Sequence, residues 1–140
     1  MKKFLLLATL FLPVLSPAQR AKPDEDPCRK IQSQAELNQC TEKKFRTANS
    51  QLLKVYQGYL QLLQKNLESA QTPAAKAQST KTLDDLKAAQ LAWINYREAH
   101  CQAEADLYAG GSIQPSMYSA CMETITRYRI TQLDDTYGDK

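Results

Sequence analysis

In the segment QLAWINYREAHC, residues 90–101, Trp93, Arg97 and Cys101 recur at intervals of four, in a chain with a single tryptophan and a single histidine. On an α-helix, positions four apart lie nearly above one another, so the indole, the guanidinium and the thiol share one face. His100 beside Cys101 raises the possibility of a thiol activated by an imidazole. Adjacent helical residues point about 100° apart, however, and a cysteine held in a disulfide is no nucleophile. Asp84 with Asp85 and Asp134 with Asp135 are carboxylate pairs, but sequence neighbours diverge on a helix and read as solvated faces. Gly110 and Gly111 have no G-K-[ST] behind them, so they read as a helix stop rather than a phosphate cradle. A zinc set of Cys28, Cys40, Cys101 and Cys121, with or without His100, lacks C-x-x-C spacing. The residues therefore point to a protein that is no enzyme and uses no cofactor or metal. The face reads as a structural seam. Gln90 and Trp93 pack between helices, Arg97 lays its stem along them and ties its head to a helix terminus or carboxylate, and Cys101 is a staple.

The compartment follows from the first residues. MKKFLLLATLFLPVLSPAQ has two lysines, an apolar run from Phe4 to Leu15, and then Ser16, Pro17 and Ala18. This is the pattern of a cleaved signal peptide, residues 1–18, with the cut between Ala18 and Gln19. The apolar run is shorter than the roughly 20 residues that span a bilayer. It also holds no cysteine for a lipid anchor, so a periplasmic or secreted protein without a membrane anchor is expected. Loss of Lys2 and Lys3 takes the basic residues from 18 to 16 against 15 acidic ones, a net charge of about +1. A nucleic-acid role needs a clustered basic face and finds no support in that balance. Roughly 120 remaining residues make one domain.

Residues 19–27, QRAKPDEDP, read as a flexible leader. Helical periodicity takes over behind it. Ser33 and Glu36 have capping-box spacing, and Leu37, Cys40, Thr41, Ala48, Leu52, Val55, Tyr59, Leu62 and Leu63 mostly recur at three and four. One long helix to about Glu68 is predicted. Thr72 and Pro73 suit a cap and a first-turn proline. The second helix, irregular through QSTKT, carries Leu83, Leu86, Ala89, Gln90, Trp93, Arg97, Cys101 and Leu107 inward and stops at Gly110 and Gly111. A third begins near Ser116, with Tyr118, Cys121, Met122, Ile125, Tyr128 and Leu133 facing in. Nothing alternates with period two. The fold class is all-α, a three-helix up-down-up bundle with two long helices, stapled by disulfides.

In an antiparallel hairpin turning near residue 70, Cys40 lies about 30 residues before the turn and Cys101 about 31 after it, hence at similar height. Cys28 and Cys121 fall at the same end. Four cysteines allow three connectivities. The local pairing of Cys28 with Cys40 and Cys101 with Cys121 is favoured, while Cys40 with Cys101 stays geometrically open.

Two cysteines twelve apart beside a long helix, Q-x-x-W-x-x-x-R-x-x-x-C, a GGS turn and a late C-x-x-x-x-T-x-x-R together carry a resemblance. The chain resembles the family named for the N-terminal domain of the LprI lysozyme inhibitor, small helical proteins of bacterial envelopes. The matching positions are Cys28, Cys40, Gln90, Trp93, Arg97, Cys101, Gly110, Gly111, Ser112 and Cys121. Two readings of the last motif stay open, Thr126 with Arg129 and Thr124 with Arg127. The helical domain then runs over residues 28–137. The resemblance implies a protein partner and the role of an inhibitor that sterically blocks the cleft of a lysozyme-like muramidase. The alternative is an envelope interaction or immunity-type protein with no lysozyme target. Gly110, Gly111, Ser112, Ile113 and Gln114 form the candidate inhibitory loop, whose amides and Ser112 hydroxyl suit an enzyme's paired carboxylates. The outer face of the first helix, with Lys43, Lys44 and Arg46, is the alternative surface.

Overall fold

The computed structural model describes residues 26–138. The segment read as a signal peptide, residues 1–18, and the expected leader through residue 25 lie outside the described residues. Three helices follow in order: α1, Gln34–Ser69; α2, Pro73–Asp106; and α3, Gln114–Tyr137. No helix among the described residues is long and apolar enough to cross a membrane.

The helix starts are chemical. The Ser33 hydroxyl accepts from the Glu36 amide at 3.5 Å, and the Thr72 hydroxyl from the Ala75 amide at 3.1 Å, with Pro73 at the first position of α2. Each cap satisfies a donor that the first turn leaves without an intrahelical partner. The QSTKT stretch is regular helix rather than irregular. Thr82 removes the conflict by bonding its hydroxyl to the Gln78 carbonyl at 3.0 Å, inside its own helix.

α1 and α3 run parallel, with α2 antiparallel to both. Gln34 at the start of α1 reaches Ser116 at the start of α3, and Tyr59 near the end of α1 donates to Asp134 near the end of α3 at 2.9 Å. The apolar core gathers Leu52 and Leu63 of α1, Leu83 and Leu86 of α2 and Leu133 of α3, with Trp93 and Ile130 packed against it. A smaller cluster of Cys101, Cys121 and Met122, with Phe45, Tyr118 and Ile125, fills the other end. Two disulfides staple that end, Cys28–Cys40 and Cys101–Cys121.

Several inward assignments from periodicity do not hold. Ala89 is exposed, Leu62 and Tyr128 are exposed, and Leu107 is 80% exposed. In α3 the buried stripe runs through Met122, Thr126 and Leu133. Thr126 and Leu133 are two turns apart and almost fully buried, so Tyr128 falls off the stripe. Leu107 is the C-cap of α2, past its last helical residue, and so leaves the packing face. α3 opens at Gln114 rather than near Ser116, so Gln114 belongs to the helix and Ile113 is its N-cap. Asp26 and Pro27 are part of the folded unit: the Asp26 carboxylate accepts from the Cys28 amide at 3.0 Å and from Lys44 at 3.1 Å.

Candidate functional site

Arg97 is the centre of the seam. It is buried, and among the described residues the carboxylate paired with it is that of exposed Glu98, 3.6 Å away. Its Nη1 donates instead to Asn49 of α1 and to Thr126 of α3, each at 3.0 Å. The head is thus held by an amide oxygen and a hydroxyl, with the expected carboxylate supplied at longer range by neighbouring Glu98. Its guanidinium also lies 4.8 Å from the Trp93 ring centroid and 5.4 Å from that of Phe45. Desolvated cations gain most from such ring faces. Burial lowers the Arg97 pKa, because the charged form gives up water, while nearby Glu98 opposes the shift. Arg97 Nε is buried with no hydrogen-bond partner.

Trp93 meets a second cation. Arg129 of α3 sits 5.8 Å from its ring centroid and donates Nε to the Gln90 side-chain oxygen at 3.1 Å. Burial lowers the Arg129 pKa as well. Gln90, Trp93 and Arg97 are therefore brought together as one seam between all three helices. Asn49, Thr126 and Arg129 complete it. Thr126 and Arg129 are the readings of the late motif that point inward, whereas Thr124 and Arg127 are exposed. What remains exposed of Trp93 lines a shallow groove between α2 and α3 with Tyr96, Ile125 and Tyr128.

A second polar cluster ties α1 to α3. Lys44 Nζ lies 3.1 Å from both Asp26 and Glu123, and Arg127 Nε lies 2.7 Å from Glu123. Burial pushes Lys44 down, and the two carboxylates more than reverse this, so its pKa lies above the ordinary lysine value. Asp26 is lowered, first by the Cys28 amide and then by Lys44. Lys44 is thus part of the fold and no member of a free basic face. Arg46 is paired with Glu42 at 2.6 Å, while Lys43 stands exposed. Only a Glu123–Arg127 spacing of four hinted at this cluster in the sequence.

The remaining chemical candidates disperse. Cys101 is bonded to Cys121, so its sulfur is no thiolate beside His100, and the same bond occupies the one cysteine near His100 and Glu104. His100 is exposed, stacked on Tyr96 at 5.4 Å between ring centroids. Asp84 and Asp85 face Lys87 and Lys81 respectively, and Asp134 faces Tyr59.

The corner from Leu107 to Ile113 joins α2 to α3 directly above the Cys101–Cys121 bond. It is a run of tight turns: the Ala109 amide donates to Asp106, Gly111 to Tyr108 and Gln114 to Gly111. Gly110 has φ +79°, a conformation that suits only glycine without strain. A Cβ on Gly111 would lie 3.2 Å from the Tyr108 carbonyl oxygen. The corner is also tied to α1, since Asn38 donates to the Ser112 carbonyl at 3.1 Å, and to α2, since Gln114 reaches Asp106 at 3.4 Å. Gly110, Gly111, Ser112 and Ile113 are all exposed. The amides of Gly111 and Gln114 are taken by these turns. Leu107 and Tyr108, which the sequence reading left out of the corner, stand exposed beside it.

Comparison with known proteins bears on this arrangement. No solved structure matches the chain. An uncharacterized protein of Rhizobium meliloti (strain 1021) is 35% identical over 128 residues, covering 91% of this chain and 89% of that protein. The family described as lysozyme inhibitor LprI matches residues 25–133, a span that holds the four cysteines, the whole seam and the corner. The chain belongs to the LprI lysozyme inhibitor family.

Proposed function

We propose that this protein is an exported inhibitor of a lysozyme-like muramidase, and that it acts by seating the 107–113 corner in the enzyme's cleft. Membership of an inhibitor family supports the role, and two disulfides with a signal-like first segment support export. The observation that carries the mechanism is the corner itself, an exposed turn clamped by Cys101–Cys121 beneath it and by Asn38 at its side. A loop ordered before binding loses little conformational freedom in the complex, which is what a tight inhibitor requires. Muramidase clefts carry paired carboxylates, and the Ser112 hydroxyl is a donor suited to them. The seam below has a supporting part: it sets the three helices in register so that the corner is held firmly.

The test is inhibition by the purified mature chain of chicken-type, goose-type and invertebrate-type lysozymes on cell-wall substrate. Inhibition of one class at sub-micromolar concentration supports the reading. Silence across all three classes overturns it and favours an envelope interaction protein.

A further inference from the structure

The corner carries a chemistry that the inhibitor reading leaves unused. Among the described residues, eight large hydrophobic side chains are exposed, and three of them, Leu107, Tyr108 and Ile113, fall within this single seven-residue turn. Leu107 is 80% exposed at the point where α2 ends. An apolar side chain so placed contributes nothing to the core and leaves apolar surface in water. The charge of the chain segment around the corner is equally uneven, although exposed Arg29 and Lys30 follow Cys28 at the same end. From Glu98 to Thr126 the chain has no lysine or arginine, but it has Glu98, Glu104, Asp106 and Glu123. Glu123 is compensated by Lys44 and Arg127, and Glu98 lies beside Arg97. Among the described residues, Glu104 and Asp106, the carboxylates closest in sequence to the corner, have no lysine or arginine partner: Glu104 has His100 at 3.9 Å, and Asp106 accepts from the amides of Gln102 and Gln114.

We propose that Leu107, Tyr108 and Ile113 are the anchors of the binding surface, and that the partner is a protein presenting a cationic rim around an apolar hollow. This deepens the inhibitor reading and rests on it. The apolar side chains fill the hollow and set the lifetime of the complex, whereas Glu104 and Asp106 meet the rim and set the rate of encounter. A partner with an acidic rim is repelled by those same carboxylates, so the corner discriminates by charge before contact.

The experiment measures association and dissociation rates of the mature chain with whichever of the three lysozyme classes it inhibits, at about 50 mM and about 300 mM salt. Leu107→Ser combined with Ile113→Ser is expected to weaken binding by about 100-fold, chiefly through faster dissociation. Glu104→Lys combined with Asp106→Lys is expected to slow association by about tenfold at low salt, with the difference closing at high salt. Unchanged melting temperatures confirm that both doubly substituted chains fold. If the parent inhibits and both variants bind as it does, the anchor proposal falls while the inhibitor reading stands. If the parent inhibits no class, both fall.

Discussion

Arg97 Nη1 donates to Thr126 Oγ1 at 3.0 Å, across the interface of α2 and α3, at a threonine with no exposed surface. The bond joins a charged donor to a neutral acceptor where water does not reach, so removing one partner leaves the other without a substitute. Thr126→Val keeps the shape and deletes the acceptor. It is expected to lower stability by about 1 to 3 kcal/mol, read from urea unfolding midpoints. Arg97→Met together with Thr126→Val is expected to cost less than the sum of the single changes. A Thr126→Val chain as stable as its parent would remove Arg97 from the centre of the seam.

Trp93→Ala is expected to cost about 2 to 3 kcal/mol, below the range of about 3 to 5 for a fully buried large aromatic, because Trp93 is only half-buried. Part of the loss is the ring face shared by Arg97 and Arg129, so Trp93→Phe should recover about half of it. Thermal unfolding followed by circular dichroism checks both. Inhibition should survive in either chain below its melting temperature.

The seam was largely legible in the sequence, because Gln90, Trp93, Arg97 and Cys101 are spaced for one helical face. Its partners were not. Asn49, exposed, and Thr126, fully buried, are ordinary polar residues on other helices, and nothing in their local sequence marks either as an acceptor for Arg97. Thr126 also interrupts the apolar pattern of α3, which is why periodicity favoured Tyr128 over the true stripe. The three helices, both caps and the local disulfide pairing were readable because each rests on near neighbours in the chain. The Asp26–Lys44–Glu123 cluster was hidden, since it joins residues 18 and 79 positions apart.

Lys44 and Lys43 are adjacent but should behave differently. Lys44→Met is expected to destabilise by about 1 to 2 kcal/mol and Lys43→Met by less than about 0.5 kcal/mol. The pH dependence follows from the shifts. Asp26 is lowered from 3.8, so its contribution is complete above that value and is lost as pH falls through its lower folded pKa. Lys44 is raised from 10.5, so its contribution is complete below that value and is lost as pH rises through its higher folded pKa. The stability gap between parent and Lys44→Met should therefore be flat between these limits and shrink in stronger acid or base. A gap that peaks at neutral pH and decays near pH 6 would contradict this assignment.

Ser112→Trp is expected to abolish inhibition by steric exclusion from the cleft while leaving the melting temperature within about 2 °C of the parent, because an exposed corner bears little of the core. Gly110→Val, by contrast, should cost about 1 to 2 kcal/mol through strain at its positive φ. Lys43→Glu is the control on α1. If it destroys inhibition while Ser112→Trp does not, the interface lies on the helix face.

Replacing Cys101 and Cys121 by alanine is expected to cost about 3 kcal/mol, the chain-entropy value for a loop of 20 residues. Mass spectrometry of the unreduced parent should find no free thiol and one peptide pair linked through these residues.

Both covalent links lie at the corner end, while the opposite end, where α1 turns into α2 over residues 70–72, is closed only by side-chain packing and caps. Local opening is therefore graded along the long axis: the hairpin tip can fray and re-form while the cross-linked end stays assembled. Amide hydrogens near Ser69 and Thr72 should exchange fastest and those beside Cys101 slowest. Fluctuation is thereby channelled away from the end that carries the proposed binding corner, which keeps its shape even while the far tip breathes.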